Sequence, residues 1–175
     1  MKLEIGAKAP AFRLASTDGR EVALEDLAGK TVVLYFYPKD QTPGCTREAC
    51  DFRDSFSRLG KSGAVVYGVS KDSLGSHERF REKYELPFGL LSDPDNAAAR
   101  AYGAYGEKVM YGKPVTGTIR STFVIDPKGR VARVWSPVKV EGHVDEVLAF
   151  LQAKRSTTRK AVRAPAGNGA RQARR

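Results

Sequence analysis

Two stretches of the chain are apolar almost without interruption, Thr31-Val-Val-Leu-Tyr-Phe-Tyr37 and Ala64-Val-Val-Tyr-Gly-Val-Ser70. Runs of this kind, rich in β-branched and aromatic residues and lacking polar alternation, predict strands covered on both faces. The first is followed by a Pro- and Gly-rich loop, Pro38 to Gly44, and then a helical pattern from about Cys45 to Leu59. There Phe52, Phe56 and Leu59 recur on one face. The second strand feeds a helix from about Ser73 to Tyr84, which Pro87 terminates.

Shorter patterns complete the chain. Half-apolar runs on either side of Asp18-Gly19 predict an N-terminal β-hairpin over residues 11 to 24. Phe88 to Leu91 reads as a short strand, Asn96 to Tyr102 as a short helix, and the Gly- and Tyr-rich segment 103 to 117 as a long loop. Ser121 to Asp126 and Arg130 to Trp135 form a hairpin around Pro127-Lys-Gly129, and an amphipathic helix from about Val144 to Lys154 closes the body. Strands alternating with helices, then a hairpin and a helix, specify an α/β fold with a mixed central β-sheet flanked by helices.

Composition narrows the function classes. With 175 residues the chain fits one domain, and 41% hydrophobic content excludes wholesale disorder. No apolar run approaches the roughly 18 residues that span a bilayer. The opening Met-Lys-Leu-Glu-Ile-Gly has no charged-then-apolar signal layout, so export is not expected. Two cysteines do not make a secreted disulfide scaffold, and their chemistry is expected in a reducing cytoplasm. The net charge of +10 is local: from Lys154 to Arg175 eight bases and no acid contribute +8, leaving +2 for the body. Residues 1–155 are therefore read as the folded domain and 156–175, with Pro165 and unopposed charge, as a disordered basic tail.

The candidate chemistry lies in Tyr37-Pro-Lys-Asp-Gln-Thr-Pro-Gly-Cys45-Thr-Arg-Glu-Ala-Cys50. Thr42 before Pro43 is a good N-cap followed by a residue suited to the first helical position. Cys45 then falls at the third helical position, facing unpaired N–H groups and the positive end of the helix dipole, which favour thiolate over thiol. Five residues along a helix give roughly 7.5 Å of rise and about 140° of rotation. In an intact helix the sulfurs of Cys45 and Cys50 cannot bond, so any pairing demands that the first turns unwind. The competing readings are two buried cysteines used as small hydrophobes, and a zinc site. The latter would need His77 and His143, neither of which has ligand spacing. A Cys-x-x-Cys redox motif is absent.

Pro38-x-x-x-Thr42-x-x-Cys45, with Arg120 at the head of a later strand, resembles the active-site pattern of the peroxiredoxins. The longer string through Cys50 is similar to the Q-type, or bacterioferritin-comigratory-protein, subfamily, and the likeness covers about residues 3 to 153, including Leu90 to Asp93, Gly106 to Lys108 and Arg120 to Asp126. The resemblance implies a thioredoxin-like fold and a thiol peroxidase of antioxidant defence, without cofactor or metal, reducing H2O2 and organic hydroperoxides. It implies that Cys45 is the peroxidatic cysteine and Cys50 the resolving one, and that their intramolecular disulfide is reduced by thioredoxin or a similar dithiol protein; with the resolving cysteine in the same chain, a monomer is expected. Thr42 then contacts the peroxide through its hydroxyl, Arg120 stabilises thiolate and leaving oxygen, and Pro38 shields the pocket.

Glu48, one turn after Cys45, either orients Arg120 or lies solvated on the helix face. His77 reads as a solvated residue of a polar helix, His143 as the start of the last helix near Asp145, and Trp135 as sheet packing. The basic tail is either a solvated extension or a weak, non-specific anchor to nucleic acid or another polyanion; it lacks aromatics for base stacking. Two rival classes remain at this level: a thiol-disulfide oxidoreductase of protein substrates, and a polyanion-binding protein with an idle thiol.

Overall fold

The computed structural model describes residues 2–163. The expected N-terminal hairpin is formed by β1 (Arg13–Ser16) and β2 (Glu21–Ala23), with Gly19 at φ 81° in its turn. β3 (Thr31–Phe36), β4 (Ala64–Ser70) and β5 (Gly89–Ser92) run parallel, while β8 (Ser121–Ile125) and β9 (Val131–Trp135) add antiparallel strands beyond β3. The seven-stranded sheet has the order β2-β1-β5-β4-β3-β8-β9. This is a thioredoxin-like α/β fold with a mixed central sheet.

The period of two along β3 explains its unbroken apolar run. Val33, Tyr35 and Tyr37 face one layer, and Val32, Leu34 and Phe36 the other, all six nearly inaccessible. The first layer holds α1 (Pro43–Asp54), α2 (Phe56–Lys61), α3 (Leu74–Lys83) and α5 (His143–Arg163), which bury Phe52, Leu59, Phe80 and Leu148 against the sheet. The second is thinner, with Leu27, Tyr102 and the short α4 (Ala97–Ala101). Among the described residues no helix is long and apolar enough to cross a membrane.

Three elements depart from expectation. The helix expected over 45 to 59 is two helices joined at Ser55, whose backbone leaves the helical region (φ −101°, ψ 1°) and whose buried hydroxyl accepts from Arg58 Nη2 at 3.1 Å. The segment 103 to 117 is not a loop: β6 (Tyr105–Met110) and β7 (Lys113–Thr118) form a separate hairpin. Its Tyr111-Gly112 turn has both residues left-handed, φ 51° and 75°, as a two-residue hairpin turn requires. The strands were hidden because neither face is a clean apolar row, and Val109, Met110 and Tyr111 stand exposed. Finally, α5 runs past the expected boundary at 155 as far as Arg163, because no helix breaker occurs before Pro165. The remainder of the expected tail, 164–175, lies outside the described residues.

Candidate active site

The carboxyl end of β3 delivers the chain through Tyr37 and Pro38 into α1, which starts at Pro43. Pro43 and Gly44 take the first two helical positions and Cys45 the third, as the sequence predicts. Thr42 has the extended backbone of an N-cap (φ −76°, ψ 153°), but its side chain does not cap. Its Oγ1 instead donates to Lys39 O at 2.9 Å, which leaves the oxygen's lone pairs free to accept. The N–H groups of the first turn are thereby left uncapped beside Cys45.

Cys45 is buried, at 1% exposure, while Cys50 on the same helix is half-buried; both thiols are free. Burial raises the Cys50 thiol above its ordinary value, with Arg53 opposing. The helix is unbroken between them, so the geometry that separates the sulfurs is in place.

Arg120, immediately before β8, reaches into this pocket. Its Nη2 lies 3.3 Å from Cys45 Sγ, and its Nη1 donates to Glu48 Oε1 at 2.9 Å. Glu48 is 1% exposed, so it is the Arg120 partner and not a solvated helix-face residue. Burial drives its carboxyl up to about 7, against the pull of Arg120. Among the described residues its second oxygen, Oε2, has no hydrogen-bond partner, and neither does the buried Tyr35 hydroxyl on the adjacent strand. One guanidinium thus serves two acidic groups in a desolvated pocket. Gly44 permits this: a Cβ there would stand 3.2 Å from Arg120 Nη2.

Lys108 and His143, for which the sequence pattern signals no role at the thiol, flank this core. Lys108 of β6 donates to Thr118 O at 2.6 Å; burial and then the Arg120 charge lower its pKa, with Cys45 opposing. It brings a second cation near the thiol from the β6–β7 hairpin. His143 does begin α5, but it is buried and its Nε2 lies 2.8 Å from Thr122 Oγ1. Burial, then Arg120, push it down to about 4, so it is neutral at pH 7. Trp135 packs edge-on against it, as the sheet-packing reading anticipates.

The largest correction concerns His77, expected in solvent and found fully buried. Its Nε2 lies 2.9 Å from Leu91 O, which can only accept, so that nitrogen carries a proton. Nδ1 is 2.7 Å from Asp40 Oδ2. Asp40 also accepts from the Tyr37 hydroxyl at 2.6 Å and Ser76 Oγ at 2.9 Å, and its N–H donates to Asp72 Oδ2. The signal available in the sequence was the polar composition of α3, which gives no hint that one of its residues meets a buried carboxylate. Ligand atoms of Asp40, Asp72 and His77 lie within 4.8 Å of one another. Asp40 Oδ2 and Asp72 Oδ2 already accept from these donors and from Ser70, whose hydroxyl donates to Asp72, so the cluster reads as a hydrogen-bond network. It anchors the loop two residues ahead of Thr42.

The chain matches the model of the AhpC/TSA family over residues 5–134. It is 53% identical over 151 residues to a putative peroxiredoxin bcp of Coxiella burnetii, covering 86% of this chain and 100% of that one. It is 49% identical over 152 residues to the peroxiredoxin Bcp of Bacillus subtilis, covering 87% and 97%. Among solved structures, the bacterioferritin comigratory protein of Xanthomonas campestris, trapped in intermediate and ligand complexes of alkyl peroxide reduction, superposes with a TM-score of 0.80. That pair is 45% identical, over 87% of this chain and 98% of that one.

Proposed function

The chain belongs to the AhpC/TSA family as a peroxiredoxin of the Bcp type, a thiol peroxidase, and from that premise we propose that Cys45 is its peroxidatic cysteine and Cys50 its resolving cysteine. The observation that carries this reading is the buried Cys45 sulfur at the third position of α1, 3.3 Å from Arg120 Nη2.

In the first step the Cys45 thiolate attacks the outer oxygen of H2O2 or an alkyl hydroperoxide. An S–O bond forms and the O–O bond breaks; sulfur is oxidised by two electrons to the sulfenic acid. The leaving oxygen takes the electron pair and a proton and departs as water or alcohol. Arg120 faces the sulfur with a fixed cation that holds the thiolate, and the same charge lowers the cost of negative charge on the leaving oxygen. Glu48 fixes the orientation of Arg120. Thr42, with lone pairs free, accepts from the peroxide O–H, and half-buried Pro38 restricts water. In the second step the Cys50 thiol displaces hydroxide from the Cys45 sulfenic acid, forming a disulfide and releasing water. Helix geometry requires the first turns of α1 to unwind for this. A thioredoxin-type dithiol protein then reduces the bridge by two electrons.

With both thiols in one chain the cycle needs no second subunit, which supports a monomer, and its dependence on a dithiol reductant supports a cytoplasmic setting. The test is intact-mass spectrometry after one equivalent of H2O2, with free thiols alkylated. Loss of two hydrogens is expected in the wild-type monomer, a trapped sulfenic acid in Cys50→Ser, and no rapid reaction in Cys45→Ser. Unmodified wild-type protein from a folded, reduced sample would sink the mechanism.

A further inference from the structure

The charge asymmetry of the chain acquires a location in the fold. No acidic residue follows Glu146, and the later turns of α5 lie within this acid-free stretch. Its residues 152–159 are all exposed. Where α5 passes the end of α2, Arg58, Lys61, Arg155 and Arg159 line a recess of about 270 Å³ together with Ser62 and Ser156, and among the described residues no carboxylate lines it. The two pairs of cations are three and four residues apart on their helices, so each pair shares one helix face. Arg155 Nη1 donates to Lys61 O, joining the two helices at this point.

We propose that this recess and the exposed stretch of α5 that borders it, residues 152–159, form a docking surface for the phosphate backbone of duplex nucleic acid, a function separate from peroxide reduction. Three observations select this partner. Three of the four cations are arginines, whose planar fork matches phosphate oxygens, and the two serines add neutral donors. Residues 152–159, all exposed, contain Ala153 as their only apolar residue, so this stretch has no apolar face with which to enter a lipid surface. From Gln152 to Arg175 there is no aromatic residue, which removes the stacking platform that single strands use. The remaining contact is sequence-independent and electrostatic.

The surface lies away from the thiols. α5 begins at His143, whose pKa feels Arg120, and Arg155 is twelve residues further along, about 18 Å up the helix axis. The recess sits at the end of α2 that leads into the start of β4, whereas Cys45 lies beyond the carboxyl end of the neighbouring parallel strand β3. Bound duplex therefore leaves the peroxide pocket open.

The experiment is fluorescence anisotropy of a labelled 20-base-pair DNA duplex titrated with the full chain at several salt concentrations, compared with R58E/R159E. Peroxide turnover by both proteins, with and without duplex, reports folding and access. The double variant should bind at least tenfold more weakly at low salt, and its log affinity against log salt should lose about 2 of slope, near 0.9 for each phosphate contact removed. Turnover should be the same in all cases. Absence of binding at 50 mM salt, or equal binding by the double variant, would overturn the proposal. So would stronger association with phosphatidylserine vesicles than with duplex in a parallel sedimentation assay.

Discussion

Arg120 holds its Nη2 3.3 Å from Cys45 Sγ while its Nη1 donates to Glu48 at 2.9 Å. The orientation of the cation at the sulfur is thus set by a second, buried bond. A lysine keeps the charge but is a single point on a flexible stem and cannot span both groups in parallel. Arg120→Gln should lower the second-order rate constant for H2O2 by roughly 10²–10³-fold, the scale of losing one preorganised donor to developing charge. Arg120→Lys should recover only a small part of it. Stopped-flow mixing of the reduced protein with H2O2 measures both, and a lysine variant as fast as wild type would show that charge alone suffices.

Glu48 makes stability fall with rising pH. Its carboxyl titrates near 7 in the folded chain, raised from 4.5 mainly by burial. Between those values the folded state holds a proton that the unfolded chain has released. The resulting stabilisation is complete below about 4.5 and is lost as pH rises through 7. Glu48→Gln keeps an acceptor for Arg120 but does not titrate. Relative to this variant, wild type should lose up to about 3 kcal/mol between pH 4.5 and 8, following 1.36 kcal/mol per pKa unit. Urea unfolding across the range checks it; a constant offset would refute the assignment.

His143 acts with the opposite sign. Burial, then the Arg120 charge, lower it from 6.5 to about 4. Above pH 6.5 the ring is neutral in both states and its contribution is fully present. As pH falls from 6.5 towards 4 the unfolded chain takes up a proton that the folded one refuses, and stability drops. Relative to wild type, His143→Gln should therefore gain stability as pH falls from 6.5 towards 4, with the Glu48 slope near neutrality kept. If the stabilities of wild type and His143→Gln run parallel below pH 6, the ring is not held neutral by the fold.

Patterns dictated by local periodicity were legible in the sequence, and contacts dictated by tertiary packing were not. The both-face burial of β3 is written in Thr31 to Tyr37, and the Thr42-Pro43 start of α1 places Cys45 at its helical position without reference to the rest of the chain. Arg120 is seventy-five residues from Cys45, and only the family resemblance joined them. His77 lies on a helix whose neighbours Glu78 and Arg79 are exposed, so local composition pointed to solvent while the fold buried it on Asp40. The β6–β7 hairpin escaped because it packs too little apolar surface to impose a period on its residues.

Asp40 and His77 form a buried pair that fixes the loop entering α1. Asp40→Asn replaces one acceptor oxygen with an NH2 group that meets the donors of Tyr37, Ser76 or His77. Leaving a buried donor of this network without its acceptor costs about 1–3 kcal/mol. The variant should therefore unfold at a much lower urea concentration, and its folded fraction should react more slowly with H2O2, because the loop bearing Thr42 loses its anchor. An unchanged midpoint would mean that the network is dispensable.

Gly44→Ala separates the two chemical steps. The added Cβ would stand 3.2 Å from Arg120 Nη2, so the guanidinium must shift from its position beside Cys45. The same substitution stiffens the first turn of α1, since alanine is favoured over glycine in a helix by about 1 kcal/mol. Sulfenic acid formation should slow because Arg120 is displaced. Disulfide formation should slow independently because the turn that must unwind is more stable. Rapid quenching with a thiol-alkylating reagent resolves both phases by mass, and thermal melting reports the helix. A variant that melts no lower than wild type yet forms its disulfide faster would show that unwinding of α1 does not gate the approach of Cys50.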